Sequence, residues 1–435
     1  MQPQYFCLYK PISLACCCPW RKPSLKSLYK NFTLSLEYLT PIMTRIHIIT
    51  VLTLILLSTG LRAEDDKVRF AYDVDFEMRF DNREYYRSAF SPSMTIFGAR
   101  LTPSVGLDIY QDRGVSHRLM MGIDVSKDFG ASPVSKLLAG GTDIPETSQK
   151  QNNADLFREM TLYYKLHADM DKAALELYAG IFPRRAMMGD YSDAFFSDSL
   201  RFYDNNIEGI LLRIRNQKTL WELGCDWMGQ FGQVRKEKFM IFSHGRTSVN
   251  DFFKVGYSAY MYHFAGSQKA RGVVDNVLLN PFMEFDFADR LGFQEFAVRL
   301  GWLQALQHDR VFVGHYVFPG GGELDLGIKK WNVGVHNRLF CGTDMMPYYN
   351  SKDAGGDKYG DRLYFGDPFY RMHDDGRTGT GIYDRVEVFY EPHLGKYLQI
   401  RIGARFHFHG SRYSGCQQVV SLKFNLSGRT DFRAR

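Results

Sequence analysis

From Val68 to Asp81 the chain alternates apolar and polar residues without a break. Val68, Phe70, Tyr72, Val74, Phe76, Met78 and Phe80 share one parity; Arg69, Ala71, Asp73, Asp75, Glu77, Arg79 and Asp81 hold the other. Side chains on a strand point to opposite faces with period two, so such a strand is greasy on one face and charged on the other. It is longer than most globular strands, and a tilted strand of about ten residues spans a bilayer. The pattern predicts an all-β fold, a transmembrane antiparallel up-and-down β-barrel.

The same alternation recurs in about sixteen segments, the last being 416–426. Ile210, Leu212 and Ile214 stand against Arg213 and Arg215; Trp221, Leu223 and Trp227 stand against Glu222 and Asp226. Met283 and Phe285 oppose Glu284 and Asp286, and Phe296, Val298 and Leu300 oppose Arg299. The inward parity therefore carries Arg69, Asp73, Asp75, Glu77, Arg79, Arg100, Arg213, Arg215, Glu222, Asp226, Glu284, Asp286, Arg299, Arg338, Arg401, Arg405 and Lys423 as a lumen-facing wall. Gaps between segments alternate too: 129–156, 184–205 and 341–383 are long, whereas 170–172 and 217–218 are short. This is the parity of long extracellular loops and short periplasmic turns. Pro103 falls inside the second segment, where its missing N–H calls for a bulge.

Upstream, Met43-Thr44-Arg45 leads into an apolar run to Leu57 and then Ser58 to Ala63, ahead of Glu64-Asp65-Asp66. A basic start, a short apolar core and a small residue at the cut make 43–63 a signal peptide. Residues 1–42 precede this second good start and read as an over-extended, mis-annotated N-terminal extension. The barrel then occupies 64–426, with 427–435 a C-terminal tail. Setting aside the first 63 residues turns 54 basic and 48 acidic residues into 47 of each, so net charge gives no reason to expect a nucleic-acid partner. Cys225, Cys341 and Cys416 remain, an odd number at spacings that suit neither a disulfide framework nor a zinc site. No motif calls for a cofactor or a metal, and His407 and His409 read as polar wall.

The closing segment, Val420, Leu422, Phe424 and Leu426 against Ser421, Lys423 and Asn425, resembles the last strand of outer-membrane barrels. Two stretches look like family signatures: Gly180 to Arg184 running on through Ser197 to Gly209, and Gly360 to Arg371. Over 64–426 the architecture resembles that of the porins of Gram-negative bacteria. The resemblance implies an outer-membrane channel for passive diffusion of small polar solutes, without enzymatic activity, inserted among outer-membrane lipid by the barrel assembly machinery and open to homo-oligomerisation. In porins of this topology the third outer loop folds inward as a constriction. Here that loop would present Arg184, Arg185, Asp190, Asp193, Asp198, Arg201 and Asp204. The rivals are a plugged structural or adhesive barrel and a lipid hydrolase, which would need a Ser–His pair at the rim.

Overall fold

The computed structural model describes residues 68–85, 90–111, 114–129, 157–268, 272–311, 313–352, 356, 358–372 and 379–431. The extension at 1–42, the signal peptide at 43–63 and most of the 129–156 loop lie outside these residues, as do Asp353, Asp357, Asp374 and Asp375.

Strands β1 (Val68–Glu84), β2 (Met94–Gln111), β3 (Val115–Asp128), β4 (Phe157–Met170), β5 (Ala173–Pro183), β6 (Asn206–Arg215), β7 (Thr219–Gly229) and β8 (Lys238–Ser248) make the first half of one sheet. It continues through β9 (Phe253–Ala265), β10 (Val273–Asp286), β11 (Glu295–Asp309), β12 (Tyr316–Val317), β13 (Gly320–Lys330), β14 (Val333–Thr343), β15 (Thr380–Tyr390), β16 (Leu398–His409) and β17 (Arg412–Asp431). The two-residue β12 is a spur on β11, leaving sixteen staves, each antiparallel to its neighbours in sequence. β1 pairs with β2 on one side and with β17 on the other, so the sheet closes on itself. The last stave reaches five residues past the boundary expected at 426, with Asp431 opposite Arg69.

Side-chain direction follows the alternation. Phe97, Leu101, Val105, Leu162, Ile210, Leu300, Trp302 and Ile402 are exposed on the outside, while Asp73, Arg79, Asp81, Arg100, Asp124, Glu222, Asp226, Arg338 and Glu387 are buried within. An apolar exterior on a closed ladder suits hydrocarbon, because closure leaves no unpaired edge strand facing lipid. The free cysteines Cys225, Cys341 and Cys416 are not buried.

At one end the connections are tight. The β13–β14 turn needs only Trp331 and Asn332, at φ 53° and 67°, the left-handed geometry of a two-residue hairpin. This end is periplasmic by the usual rule, and the long connections lie at the other.

The bulge expected at Pro103 is absent. Toward β3, Leu101 pairs with Val125 and Ser104 with Gly122, so the ladder skips two residues without changing register, while toward β1 Pro103 still sits opposite Val74. Pro281 is accommodated the same way, between the Leu279–Gln304 and Phe282–Gly301 pairs. Losing one donor costs a rung, and neighbouring rungs hold the register.

If the greasy parity faces lipid, Leu101→Arg should cost about 2–4 kcal/mol of folding free energy. Denaturant titration of the protein folded into lipid vesicles measures this, and no loss of stability there would refute the outward assignment.

Candidate functional site

The connection 184–205 turns into the barrel instead of over it. Pro183 cannot extend the ladder and opens a single 3-10 turn at Arg184–Ala186. Further on, Ser197 caps the short helix Asp198–Tyr203, its Oγ accepting from Leu200 N at 3.2 Å. Between them Tyr191, Ala194, Phe195 and Phe196 are buried, and Leu200 and Phe202 join the same packing. A surface loop would not hide so many aromatic rings.

Wall charges on many sides hold the segment. Arg184 bridges Asp204 and Asp226, each at 3.0 Å. Arg185 pairs with Asp73 and lies 3.9 Å from Asp75 on β1. Glu222 on β7 accepts from Met188 N and Gly189 N at 2.9 Å each, and Arg213 donates to Ala186 O. Asp190 pairs with Arg299 of β11, which also holds Glu284 at 2.6 Å. Asp193 meets Arg338 at 2.7 Å and pairs with Arg385. Asp198 pairs with Arg405 of β16 and lies 3.8 Å from Arg79 of β1. Arg100 on β2 donates to Phe202 O and to Tyr203 O. One segment thus reaches β1, β2, β7, β11, β14, β15 and β16, strands from all round the barrel.

The remaining wall residues take part less directly. Arg201 donates to Tyr191 O within the segment, Asp286 pairs with Lys254 and Lys423 lies 3.5 Å from Glu77. Arg401 pairs with Glu387 and Glu391, and the Arg69 guanidinium sits over the Tyr110 ring. Arg215 is exposed at the turn end of β6.

A second inward segment, described at 344–352 and 358–371, packs on the first. Asn276 donates to Leu363 O at 3.0 Å, Tyr364 OH to Gln307 at 2.9 Å, and Tyr359 and Tyr370 hydroxyls to Asp309 and Glu323. The two segments meet where Ser197 N donates to Phe365 O and Asp367 N to Asp193 O, both at 2.8 Å. A Cβ on Gly366 would lie 2.1 Å from Ala194 O, so only glycine permits this approach. Burial alone would raise the Asp193 carboxyl, but Arg338 and Arg385 outweigh it and hold it at about 2. Burial, reinforced by that neighbouring carboxylate, pushes Asp367 the other way.

Above the segments, toward the loop end, lies a cavity of about 940 Å³. Arg83, Ser199, Glu159, Asn206 and Asp226 line it from the first half of the chain, and Tyr349, Arg362 and Asp367 from the second. Arg83 donates to Ser199 Oγ at 2.6 Å. Asn206 Nδ2 donates to Glu159 at 2.8 Å and to Asp124 at 3.0 Å, presenting a carboxylate to the cavity. Among the described residues no histidine lines it.

Sequence reasoning missed Arg83, Asp325, Arg385 and Glu387, although all lie on the inward parity of recognised strands or at their ends. It also found no serine partner for His409. The structure supplies one: His409 Nδ1 lies 3.0 Å from Ser414 Oγ, and its Nε2 donates to Phe369 O at 2.9 Å. The ladder shifts between His407 and Phe408, which swings Ser414 inward. His407 instead bonds the Tyr383 hydroxyl at 2.9 Å.

A family model described as lipid A 3′-O-deacylase-type matches residues 63–304, more than half of the chain. That is an enzyme family, and it overturns the expectation of a barrel without enzymatic activity. The Ser414–His409 pair lies outside the matched span, whereas Arg83, Glu159, Ser199 and Asn206 lie inside it. No curated protein matches the chain. Among solved structures it is similar to a loop-deleted OmpT, an outer-membrane protein of Vibrio cholerae, at 8% identity and TM-score 0.49, covering 83% of this chain and 100% of that one. OpdK of Pseudomonas aeruginosa gives 12%, 0.39, and 84% and 99%, and OccAB4 of Acinetobacter baumannii 8%, 0.42, and 83% and 99%. The chain is an outer-membrane β-barrel.

Asp193→Ala should destabilise the inward segment by about 3 kcal/mol or more, since it leaves two buried guanidinium groups short of a carboxylate. Because the folded carboxyl is held below its ordinary value, its contribution is complete above about pH 3.8 and is lost as pH falls through about 2. Pepsin should therefore leave 184–205 of the unaltered protein intact at pH 4 and begin to cut it near pH 2. For the alanine variant, cleavage at pH 4 is expected.

Proposed function

Because the chain belongs to the lipid A 3′-O-deacylase-type family, we propose that it hydrolyses an acyl ester of a lipid A-type lipid at the loop-end cavity. The observation carrying this reading is that the matched span provides much of the cavity's polar lining, including Arg83, Glu159, Ser199, Asn206, Asp226 and Lys238, while the inward segments form a packed floor. A floored cavity at the outer end suits a substrate drawn from the outer leaflet.

Ester hydrolysis needs a group to take a proton from the attacking water and a positive or hydrogen-bonding field for the oxyanion that forms. With no histidine lining the cavity among the described residues, the base is a carboxylate, and Glu159 is our assignment. Asn206 orients it by donating to one of its oxygens at 2.8 Å. Arg83, fixed by Asp81 at 2.8 Å, lines the same cavity as a hydrogen-bond donor for the oxyanion.

A second reading keeps the passive channel for small polar solutes. Sixteen staves with a charged interior is a girth at which barrels hold water, which favours it. In that case Arg184, Arg185, Asp190, Asp193, Asp198, Arg201 and Asp204 would be the constriction. Insertion by the barrel assembly machinery and homo-oligomerisation belong with either reading as proposals.

Refolded protein in detergent should release fatty acid from a lipid A-type substrate, and Glu159→Gln should slow release about 100-fold or more without changing heat-modifiable migration. No release by the unaltered protein would sink the ester reading. Stepwise conductance in planar bilayers would support the channel, and silent bilayers would remove it.

A further inference from the structure

Most cations inside the barrel are neutralised. Arg83 is matched by Asp81, Arg184 by Asp226, Arg299 by Glu284, Arg338 by Asp325 and Arg405 by Glu387. Such compensation is what a low-dielectric interior demands of a buried charge.

Half-buried Lys238 and exposed Arg362 stand apart from these pairs. Both line the loop-end cavity, and neither side chain makes an ion pair or hydrogen bond among the described residues. Lys238 opens β8 on the parity of Met240, Phe242 and His244, all buried inward. Arg362 lies in the turn Gly360–Leu363, whose Asp361 and Leu363 are buried. The turn is fixed by Asn276 donating to Leu363 O at 3.0 Å and Tyr262 OH to Arg362 O at 3.5 Å. Tyr262 pairs with Met240, and Lys238 pairs with Phe264 two residues further on, so the turn that carries Arg362 is held against β9 beside the start of β8. Asp204, which also lines the cavity, is bound to Arg184 at 3.0 Å, and among the described residues no carboxylate forms an ion pair with either cation. Lys358, the other cation of this turn, is taken by Asp361 at 3.7 Å.

We propose that Lys238 and Arg362 form a binding subsite for a phosphate group at the cavity. Arginine offers a planar fork that matches phosphate oxygens, and lysine adds a mobile point charge. A phosphate monoester, with about −1.5 to −2 charge at neutral pH, satisfies both cations at once where a single carboxylate satisfies one. The phosphate reaches the site on a lipid headgroup or as the free ion. The inference rests on the lipid reading only for the first of these sources.

Its test uses full-length protein in detergent with two probes, inorganic phosphate and a phosphorylated glucosamine lipid compared with its dephosphorylated form. Calorimetry should detect binding of at least one phosphate probe, weakened tenfold or more in Lys238→Gln and in Arg362→Gln, with Arg362→Lys recovering part of it. Phosphorylated lipid binding far more tightly than the free ion identifies a headgroup; equal affinities identify free phosphate. Unchanged affinity in both glutamine variants, or no binding of either probe by the unaltered protein, overturns the subsite. Phosphate binding without fatty-acid release supports the subsite and sinks the ester reading, so the two fail separately. Heat-modifiable migration of each variant verifies that its barrel is folded.

Discussion

Lipid offers no hydrogen bonds, and a sheet can live in it only if its first strand finds its last. β1 and β17 meet that demand over sixteen residue pairs, from Arg69 opposite Asp431 to Glu84 opposite Cys416. Closure fixes everything downstream. Once the sheet is a cylinder, period-two alternation leaves only an outside and an inside, and the charged parity must point at the axis. A wall bearing so many Arg, Asp and Glu side chains then needs water or counter-charges.

Both inward segments answer that need with protein. Segment 184–205 offers acids to the basic strands β14, β15 and β16 and Arg185 to the acidic start of β1. Its aromatic residues pack among themselves and against Phe242 and Tyr260, so the same chain that neutralises the wall also makes a dry centre. The stability of this arrangement is distributed. Each pair loses solvation on burial and regains it only when geometry and additional hydrogen bonds are good, so the network acts as a specific clamp more than as a large sum of energies.

The staves were legible because their signal is local: two residues suffice to give a face, and fourteen repeat it. Turn lengths were legible for the same reason: the gaps read as short at 170–172 and 217–218 join β4 to β5 and β6 to β7. Pro103 misled because a proline looks like a break, whereas flanking rungs absorb its lost donor. The site was far less legible. Glu159, Asn206 and Asp124 come from three strands and converge only when the cylinder exists, and no spacing rule joins positions on β3, β4 and β6. The second inward segment is conspicuous in sequence for its Asp and Gly, yet Tyr359, Leu363, Phe369 and Tyr370 decide where it goes, and all four are buried. Ser414 reaches His409 only through a register shift that composition does not announce.

The family match ends at residue 304, inside β11, and the structure explains why the remainder is still part of the site. Without β13 to β17 the matched strands would be an open sheet with two bare edges in hydrocarbon. The same remainder supplies Arg338, Arg385 and Arg405, which hold the inward segment of the matched half in position. It also supplies the second inward segment, which covers the first through the Ser197–Phe365 and Asp367–Asp193 backbone bonds. Closure, clamp and cavity lining therefore each draw on both parts of the chain. A chemistry carried by the first part can be tuned by the second, and the cavity is where residues of both meet, Lys238 from one and Arg362 from the other.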